Sequence, residues 1–422
     1  MRNTDHFRNK KVVIVGLARS GVSSANLLYD LGATVSVTDN KDSDSTRLYS
    51  SRLKSKAIKV ELGTHTEDFV KGNDFLVLSP GVTNDSPPVV WAEKHRIPVI
   101  SEIELAWILC PAAIIAVTGA NGKTTVTTLI GKVLEKAGKK VFICGNIGNP
   151  FSGEVEKMKE GDFVSLEVSS FQLERIATFK PRVALMLNFT PNHLDRYKDM
   201  QEYLRAKKRI FMNQDKADYL VLNSDDPVLR EVAEEAQANI VYFSQEDGLN
   251  PNQAAVLAVG KIFDIDKGLI LDVFKGFKGI EHRLELVAEI NKIKFINDSK
   301  ATTVDSAMWA LRSITTPIVL IAGGKHKGVD YSSILDLARR KVREVILIGE
   351  AKDKIKAAFQ GALSIDEAAT LEEAVSKAFQ KARPGDSVLL SPMCSSFDMF
   401  SSYEERGSVF KNAVLNLAKH KC

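Results

Sequence analysis

One stretch constrains this chain more than any other: "AAIIAVTGANGKTTVTTLIGKVLEKAG", residues 112–138. A short apolar run gives way to a glycine-rich turn, the turn ends in Lys123, Thr124 and Thr125, and a helix follows. That helix carries Val126, Leu129, Ile130, Val133 and Leu134 at i, i+3, i+4, i+7 and i+8, which gives it one packed face. Strand, turn and helix in this order belong to a parallel α/β layer. The backbone N–H groups of the turn and the helix N-terminus then point at one spot, and a phosphate suits it. Gly119, Asn121 and Gly122 let the backbone close round the oxygens. Lys123 supplies a point charge for β/γ oxygens, and the Thr124 hydroxyl can take a position on Mg²⁺. The loop is shorter than the usual pattern because its first glycine is missing.

A metal beside phosphates wants a carboxylate, and "GDFVSLEVSSFQLE" offers one. Phe163–Leu166 reads as a buried strand with Glu167 at its end. Farther on, "LMLNFTPNHLDRY" gives another strand with His193 just past it. "EYLRAKKRIF" gives a helix on which Tyr203, Lys207 and Ile210 share a face. On the residues alone, a lone histidine carries no role, and the basic helix reads as a solvated charged face.

Ahead of the loop, "KKVVIVGLARSGVSSANLLYDLGATVSVTD" reads as a βαβ unit. Its strand is Val12–Val15, its helix has Val22, Ala25, Leu28 and Leu31 near one face, and its second strand ends at Asp39. Gly16 and Gly21 fit the dinucleotide fingerprint, but Ala18 places a methyl group where the middle glycine admits a pyrophosphate. NAD is disfavoured, and another nucleotide across the strand ends is expected. A third strand series starts at "INKIKFINDS" and runs through "TPIVLIAGG", "EVILIGE" and "DSVLLSP". The expected fold is α/β with three domains. These are an N-terminal Rossmann-like domain over 1–110, a central P-loop mononucleotide-binding domain over 111–280 and a C-terminal Rossmann-like domain over 281–422.

A net charge of +4 over 422 residues is too weak to announce nucleic acid. Cys110, Cys144, Cys394 and Cys422 are too scattered for a metal site or a disulfide framework. No apolar run approaches the roughly 18 residues of a membrane helix, and "MRNTDHFRNKK" lacks an apolar signal core. A cytoplasmic protein without membrane or nucleic-acid partners is expected.

The motifs "GANGKTT", "LEVSSFQLE", "NHLDRY", "RAKKRIF", "GIEHRLE", "INDSKATT", "IAGGKHKGVD" and "SPMCSSFDMFSSYEERG" in this order resemble the Mur ligases of peptidoglycan synthesis. The resemblance runs from the first βαβ unit to the last helix. The "SSFD" stretch is similar to the branch that adds D-glutamate, and the "DNPR"-type motif of the diamino-acid branch is not found. Other amino-acid-adding branches and folylpolyglutamate synthases, which share the ATP machinery, are the alternatives.

The resemblance implies roles position by position. Lys123 and Thr124 would be the phosphate lysine and the first Mg²⁺ ligand, Glu167 a carboxylate between metals, and His193 a ligand to the second metal. Lys207 would be the lysine carried as a carbamate. For a UDP-sugar substrate it implies Arg19 and Ser20, Asp39 and Asn40, Ser79 and Gly81. Asn146, Ser169 and Gln172 would face the sugar and its alanyl end. Asn252, His282, Arg283 and Asp298 would lie on the adenosine side. Lys300, Thr302, Lys327, Ser396, Phe397 and Tyr403 would surround an incoming D-glutamate. The family's His-Asn pair before an Ala-rich helix is blurred here to Leu249-Asn250. The segment after Lys207 is also shorter than the resemblance implies, as though hairpin strands were trimmed after "VYFS" or residues were missing near Gln245–Gly248.

The implied activity is ATP-dependent amide formation between UDP-N-acetylmuramoyl-L-alanine and D-glutamate through an acyl-phosphate, by a monomer with two Mg²⁺ sites that Mn²⁺ can also fill. Such an intermediate hydrolyses in open water, which implies a site that closes about a hinge near Gly279–Glu281. A P-loop switch or a nucleic-acid binder using "RAKKR" accounts for fewer of these motifs.

Overall fold

The computed structural model describes residues 1–190, 196–245, 248–326, 328–359 and 361–419. They form two compact units, Met1–Phe277 and Lys278–Cys422. The first holds two sheets and the second holds one.

The first sheet comprises β1 (Lys11–Val15), β2 (Thr34–Asp39), β3 (Lys59–Leu62), β4 (Phe75–Leu78) and β5 (Val99–Ser101), all parallel in the order β3-β2-β1-β4-β5. β1 is buried from Val12 onward because helices cover both faces. Val22, Ala25 and Leu28 of the helix Arg19–Asp30 are buried, as is Leu31 just past its end, as their spacing requires.

The second sheet is β6 (Ala113–Thr118), β7 (Val141–Gly145), β8 (Phe163–Glu167), β9 (Val183–Met186), β10 (Tyr219–Asn223) and β11 (Asn239–Phe243). Its order is β11-β10-β9-β6-β8-β7, again all parallel. The helix Lys123–Lys136 buries Val126, Leu129, Ile130, Val133 and Leu134 against it. One apolar cluster runs from Val12 and Ile14 through Leu105 and Leu109 to Phe151, Phe179 and Leu222, so these two sheets share a core. Glu104 reinforces the join, with its two oxygens accepting from the backbone of Ala177, Thr178 and Phe179 and from the Thr178 hydroxyl.

In the second unit β12 (Glu285–Ile290), β13 (Ile293–Asn297), β14 (Ile318–Gly323), β15 (Val342–Ile348), β16 (Ser364–Glu367) and β17 (Ser387–Leu390) follow the order β12-β13-β17-β14-β15-β16. β12 is antiparallel to β13 and the rest are parallel. Periodicity starts this series at β13 and misses β12. "ELVAEI" lies at the sheet edge, mostly half-buried, and lacks the apolar run that marks a covered strand. Among the described residues no helix is long and apolar enough to cross a membrane.

Candidate active site

The phosphate loop joins the centre of the second sheet to the helix Lys123–Lys136. Gly122 sits at the helix start with φ +82°, and a β-carbon there would lie 2.4 Å from Asn252 Oδ1. Only glycine meets both demands. That contact also brings Asn252, from the helix Pro251–Ile262, to the turn. Asn250 serves that helix as a capping residue, bonded reciprocally to Gln253.

Asn188, just past β9, is a residue that sequence reasoning missed. Its Oδ1 accepts from the backbone N–H groups of Ala120 and Asn121, and its Nδ2 donates to the Asn121 carbonyl. These bonds fix the backbone of the loop at Ala120 and Asn121. The helix N-terminus at Gly122 has no side-chain cap, and neither has the one at Ala18. Ser43, Ser101, Ser169 and Asp199 do cap nearby helices. The two uncapped ends carry orphan N–H groups suited to phosphate oxygens.

Charges gather beside the loop. Lys123 Nζ donates to the carbonyls of Gly119 and Ala120 over 2.9 and 3.0 Å. Lys207 Nζ donates to the same Gly119 carbonyl over 2.9 Å and lies 4.7 Å above the Tyr203 ring. The basic helix is not a solvated face at this position: Lys207 is 1% exposed, with Tyr203 and Ile210 buried beside it. Burial, and then the neighbouring Lys123 charge, push the Lys207 amine well below its ordinary 10.5.

Glu167 ends β8 and is buried. Its Oε1 accepts from Asn146 Nδ2 over 2.7 Å, while Oε2 is buried with no hydrogen-bond partner. β8 lies beside β6 with Glu167 opposite Val117, so this oxygen belongs to the loop's own strand layer. Thr124 is buried at the first turn of the helix. A buried orphan carboxylate oxygen and a hydroxyl beside a phosphate turn fit a divalent cation. Among the described residues no group of three or more His, Cys, Asp or Glu side chains converges. The fit is therefore to a cation completed by phosphate oxygens, as Mg²⁺ prefers. His193 lies outside the described residues.

The first sheet presents its own turn. Gly16 has φ +95°, and a β-carbon there would lie 2.9 Å from the Ser79 side chain. Ser79 Oγ donates to the Gly16 carbonyl over 2.9 Å, and Asp39 Oδ2 accepts from the Leu17 N–H over 2.7 Å. Two expected substrate positions, Asp39 and Ser79, thus both hold the Gly16–Leu17 turn. Arg19 and Ser20 open the helix that follows. Asn40 lies directly beyond β2. Ser169 and Gln172 bond to each other as a capping box, with Gln172 buried.

A cleft of about 870 Å³ opens beside Gly81, lined also by Asn84, Phe171, Arg175 and Arg205. Glu174 organises it, accepting from Asn84, Arg196 and the Tyr197 hydroxyl. Glu174 was also missed, although it closes the quoted "LEVSSFQLE".

In the second unit His282 is buried with φ +62°, its Nδ1 2.9 Å from Asn297 Nδ2. Arg283 Nε is buried without a partner. Asp298 accepts from the Leu284 N–H and the Ser391 hydroxyl, and burial pushes its carboxyl up to about 7. Lys300 Nζ lies 5.8 Å from the Tyr403 ring. Ser396 is buried, whereas Phe397 is 60% exposed. Thr302 lies two residues beyond Lys300, its N–H donating to the Lys300 carbonyl. Lys327 lies outside the described residues.

Arg406 was missed inside "SSYEERG". It is fully buried and donates to the Ser299 hydroxyl and carbonyl and to the carbonyls of Cys394 and Ser395. It stitches the loops that carry Asp298–Thr302 and Ser396.

Three family models match. Residues 10–101 match the Mur ligase MurD-like N-terminal domain, 117–291 the Mur ligase middle domain and 282–394 the Mur ligase glutamate ligase domain. A UDP-N-acetylmuramoylalanine–D-glutamate ligase of Thermoanaerobacter pseudethanolicus is 40% identical, covering 98% of this chain and 100% of its own length. One of that name from Geotalea uraniireducens is 42% identical, covering 97% and 98%. Among solved structures, a UDP-N-acetylmuramate–alanine ligase of Thermotoga maritima shares the fold. Its TM-score is 0.59 at 18% identity, over 98% of this chain and 100% of that one.

Proposed function

The chain belongs to the Mur ligase family, and on that premise we propose that it joins D-glutamate to UDP-N-acetylmuramoyl-L-alanine in the cytoplasm at the expense of ATP. It is an ATP-dependent amide-forming ligase of peptidoglycan precursor synthesis. One observation carries the mechanism: a buried amine, Lys207, and a buried orphan oxygen, Glu167 Oε2, flank one phosphate turn.

In this reading residues 1–110 take the UDP-substrate, 111–280 the nucleotide and 281–422 the amino acid. The uncapped helix N-terminus at Gly122 and the Lys123 ammonium hold the ATP phosphates. The γ-phosphoryl group passes to the L-alanyl carboxylate, giving an acyl-phosphate and ADP. The D-glutamate amine then attacks the acyl carbon, and phosphate leaves as the amide forms. Mg²⁺, when bound, offsets the repulsion between carboxylate and polyphosphate. Thr124, Glu167 and His193 would hold it at two sites, which Mn²⁺ can also fill.

Lys207 would complete that set as a carbamate. Its amine, pushed by burial toward the neutral form, adds CO₂ and releases a proton, which leaves a carbamate anion where a neutral amine stood. Asn146 orients Glu167 by its hydrogen bond to Oε1 and leaves Oε2 for the cation. Asn252, His282, Arg283 and Asp298 would serve the adenosine. Lys300, Thr302, Lys327, Ser396, Phe397 and Tyr403 would receive D-glutamate, with the lysines and hydroxyls suited to its two carboxylates.

The test is phosphate release from ATP with the UDP-alanyl substrate and a panel of D-glutamate, L-glutamate, L-lysine, diaminopimelate and L-alanine. Turnover with D-glutamate alone supports the proposal. Turnover with another member moves the chain to a different branch, and release with no amino acid favours a P-loop ATPase.

A further inference from the structure

The C-terminal ends of β2 and β3 carry a chain of side-chain contacts that none of these roles uses. Thr38 is fully buried in β2. Its Oγ1 lies 2.9 Å from Glu61 Oε2, 2.7 Å from His65 Nδ1 and 3.3 Å from the Thr64 carbonyl. Glu61 also accepts from Thr66, through its N–H over 3.1 Å and its hydroxyl over 2.6 Å.

The protons along this chain have one consistent arrangement. A carboxylate only accepts, so the single Thr38 proton goes to Glu61. Two lone pairs do not face each other at 2.7 Å, so His65 Nδ1 must donate to Thr38 Oγ1. A neutral imidazole has one N–H, which leaves a lone pair on Nε2. Burial holds the ring's pKa below its ordinary 6.5 and keeps it neutral near pH 7.

The ring stands at the strand ends, where nucleotides lie on open α/β sheets, and close enough to Asp39 to feel its charge. Asp39 is itself engaged, with Oδ2 accepting from the Leu17 N–H and Oδ1 from the Lys41 N–H. It holds the turn. A second acceptor is needed to read a base.

We infer that His65 is a specificity-determining residue: its Nε2, fixed as an acceptor by the Glu61–Thr38 relay, takes the imide N3–H of the substrate's uracil ring. The inference rests on reading residues 1–110 as the UDP-substrate domain. Cytosine presents a lone pair at the same ring position, so a fixed acceptor refuses it.

The experiment is calorimetric titration of the full chain with UDP and with CDP, for the parent protein, His65→Phe and Thr38→Val, with ATP binding as the check on folding. The parent should prefer UDP by about tenfold, the worth of one well-placed hydrogen bond. His65→Phe should abolish that preference by weakening UDP alone. Thr38→Val frees the ring to present either nitrogen and should shrink the preference part-way. A merely structural histidine would weaken UDP and CDP alike. An unchanged UDP-to-CDP ratio in His65→Phe, with ATP still bound, overturns the inference alone. A parent chain that binds ATP but neither UDP nor CDP overturns the reading of the N-terminal domain, and the inference with it.

Discussion

Two buried basic side chains in two regions of this molecule behave in opposite ways. Arg406, in the second unit, donates to four acceptors on Ser299, Cys394 and Ser395. Burial lowers its pKa only to about 10, so it stays charged at neutral pH. Lys207, beside the phosphate turn, has the Gly119 carbonyl at 2.9 Å and the Thr118 hydroxyl at 3.5 Å. Its amine is pushed well below 10.5. Nearby, Glu167 Oε2 has no hydrogen-bond partner. The first arrangement is saturated and holds loops together. The second is incomplete, and incompleteness inside a protein marks where a ligand supplies the missing partner.

That contrast can be broken most severely at the phosphate turn. Lys123→Ala and Glu167→Ala should each cut ATP-dependent phosphate release by about a thousandfold or more, while the melting temperature of the ligand-free chain stays near that of the parent. Assay and calorimetry on the same samples check both halves. Lys207→Met should lose a comparable share of turnover, yet leave stability unchanged or raised, because it removes a costly buried amine. In Lys207→Ala, added formate or acetate should restore part of the activity by standing in for the carbamate. No recovery with either would count against the carbamate.

Arg406→Met should behave the other way round. It strands buried carbonyls and a hydroxyl, and equilibrium denaturation should show a loss of about 3 kcal/mol. If Lys207→Met costs as much, the two sites are not different in kind.

A pH-dependent effect lies at Asp298. Its folded carboxyl, at about 7, keeps a proton that the unfolded chain releases near 3.8. Stability from this group is full below about pH 4 and is lost as pH rises toward 7. Asp298→Asn should flatten that slope in denaturation measured from pH 4 to 8.

Much of this was legible in the residues because it is local. Val126, Leu129, Ile130, Val133 and Leu134 announce the buried face of their helix, and Gly122-Lys123-Thr124 announce the turn. What escaped depends on distant partners. Asn188 acts on a loop 67 residues away, and nothing around it in "LMLNFT" sets it apart from a strand end. Glu174 joins Asn84, 90 positions earlier, to Arg196 and Tyr197. Arg406 reads as one charge among several in "SSYEERG", although it is fully buried. β12 escaped because an antiparallel edge strand needs no continuous apolar run.

By itself, then, the order of apolar runs, glycines and helical faces determined parallel α/β layers and a phosphate turn, since those patterns act over one strand or one helix at a time. Only the tertiary structure decided that Lys207 among the lysines of "RAKKR" loses water, that Glu167 keeps one oxygen unpaired, and that His65 faces Thr38. Desolvation and proton placement are set by atoms that meet across the fold, and spacing along the chain carries no record of who those neighbours are.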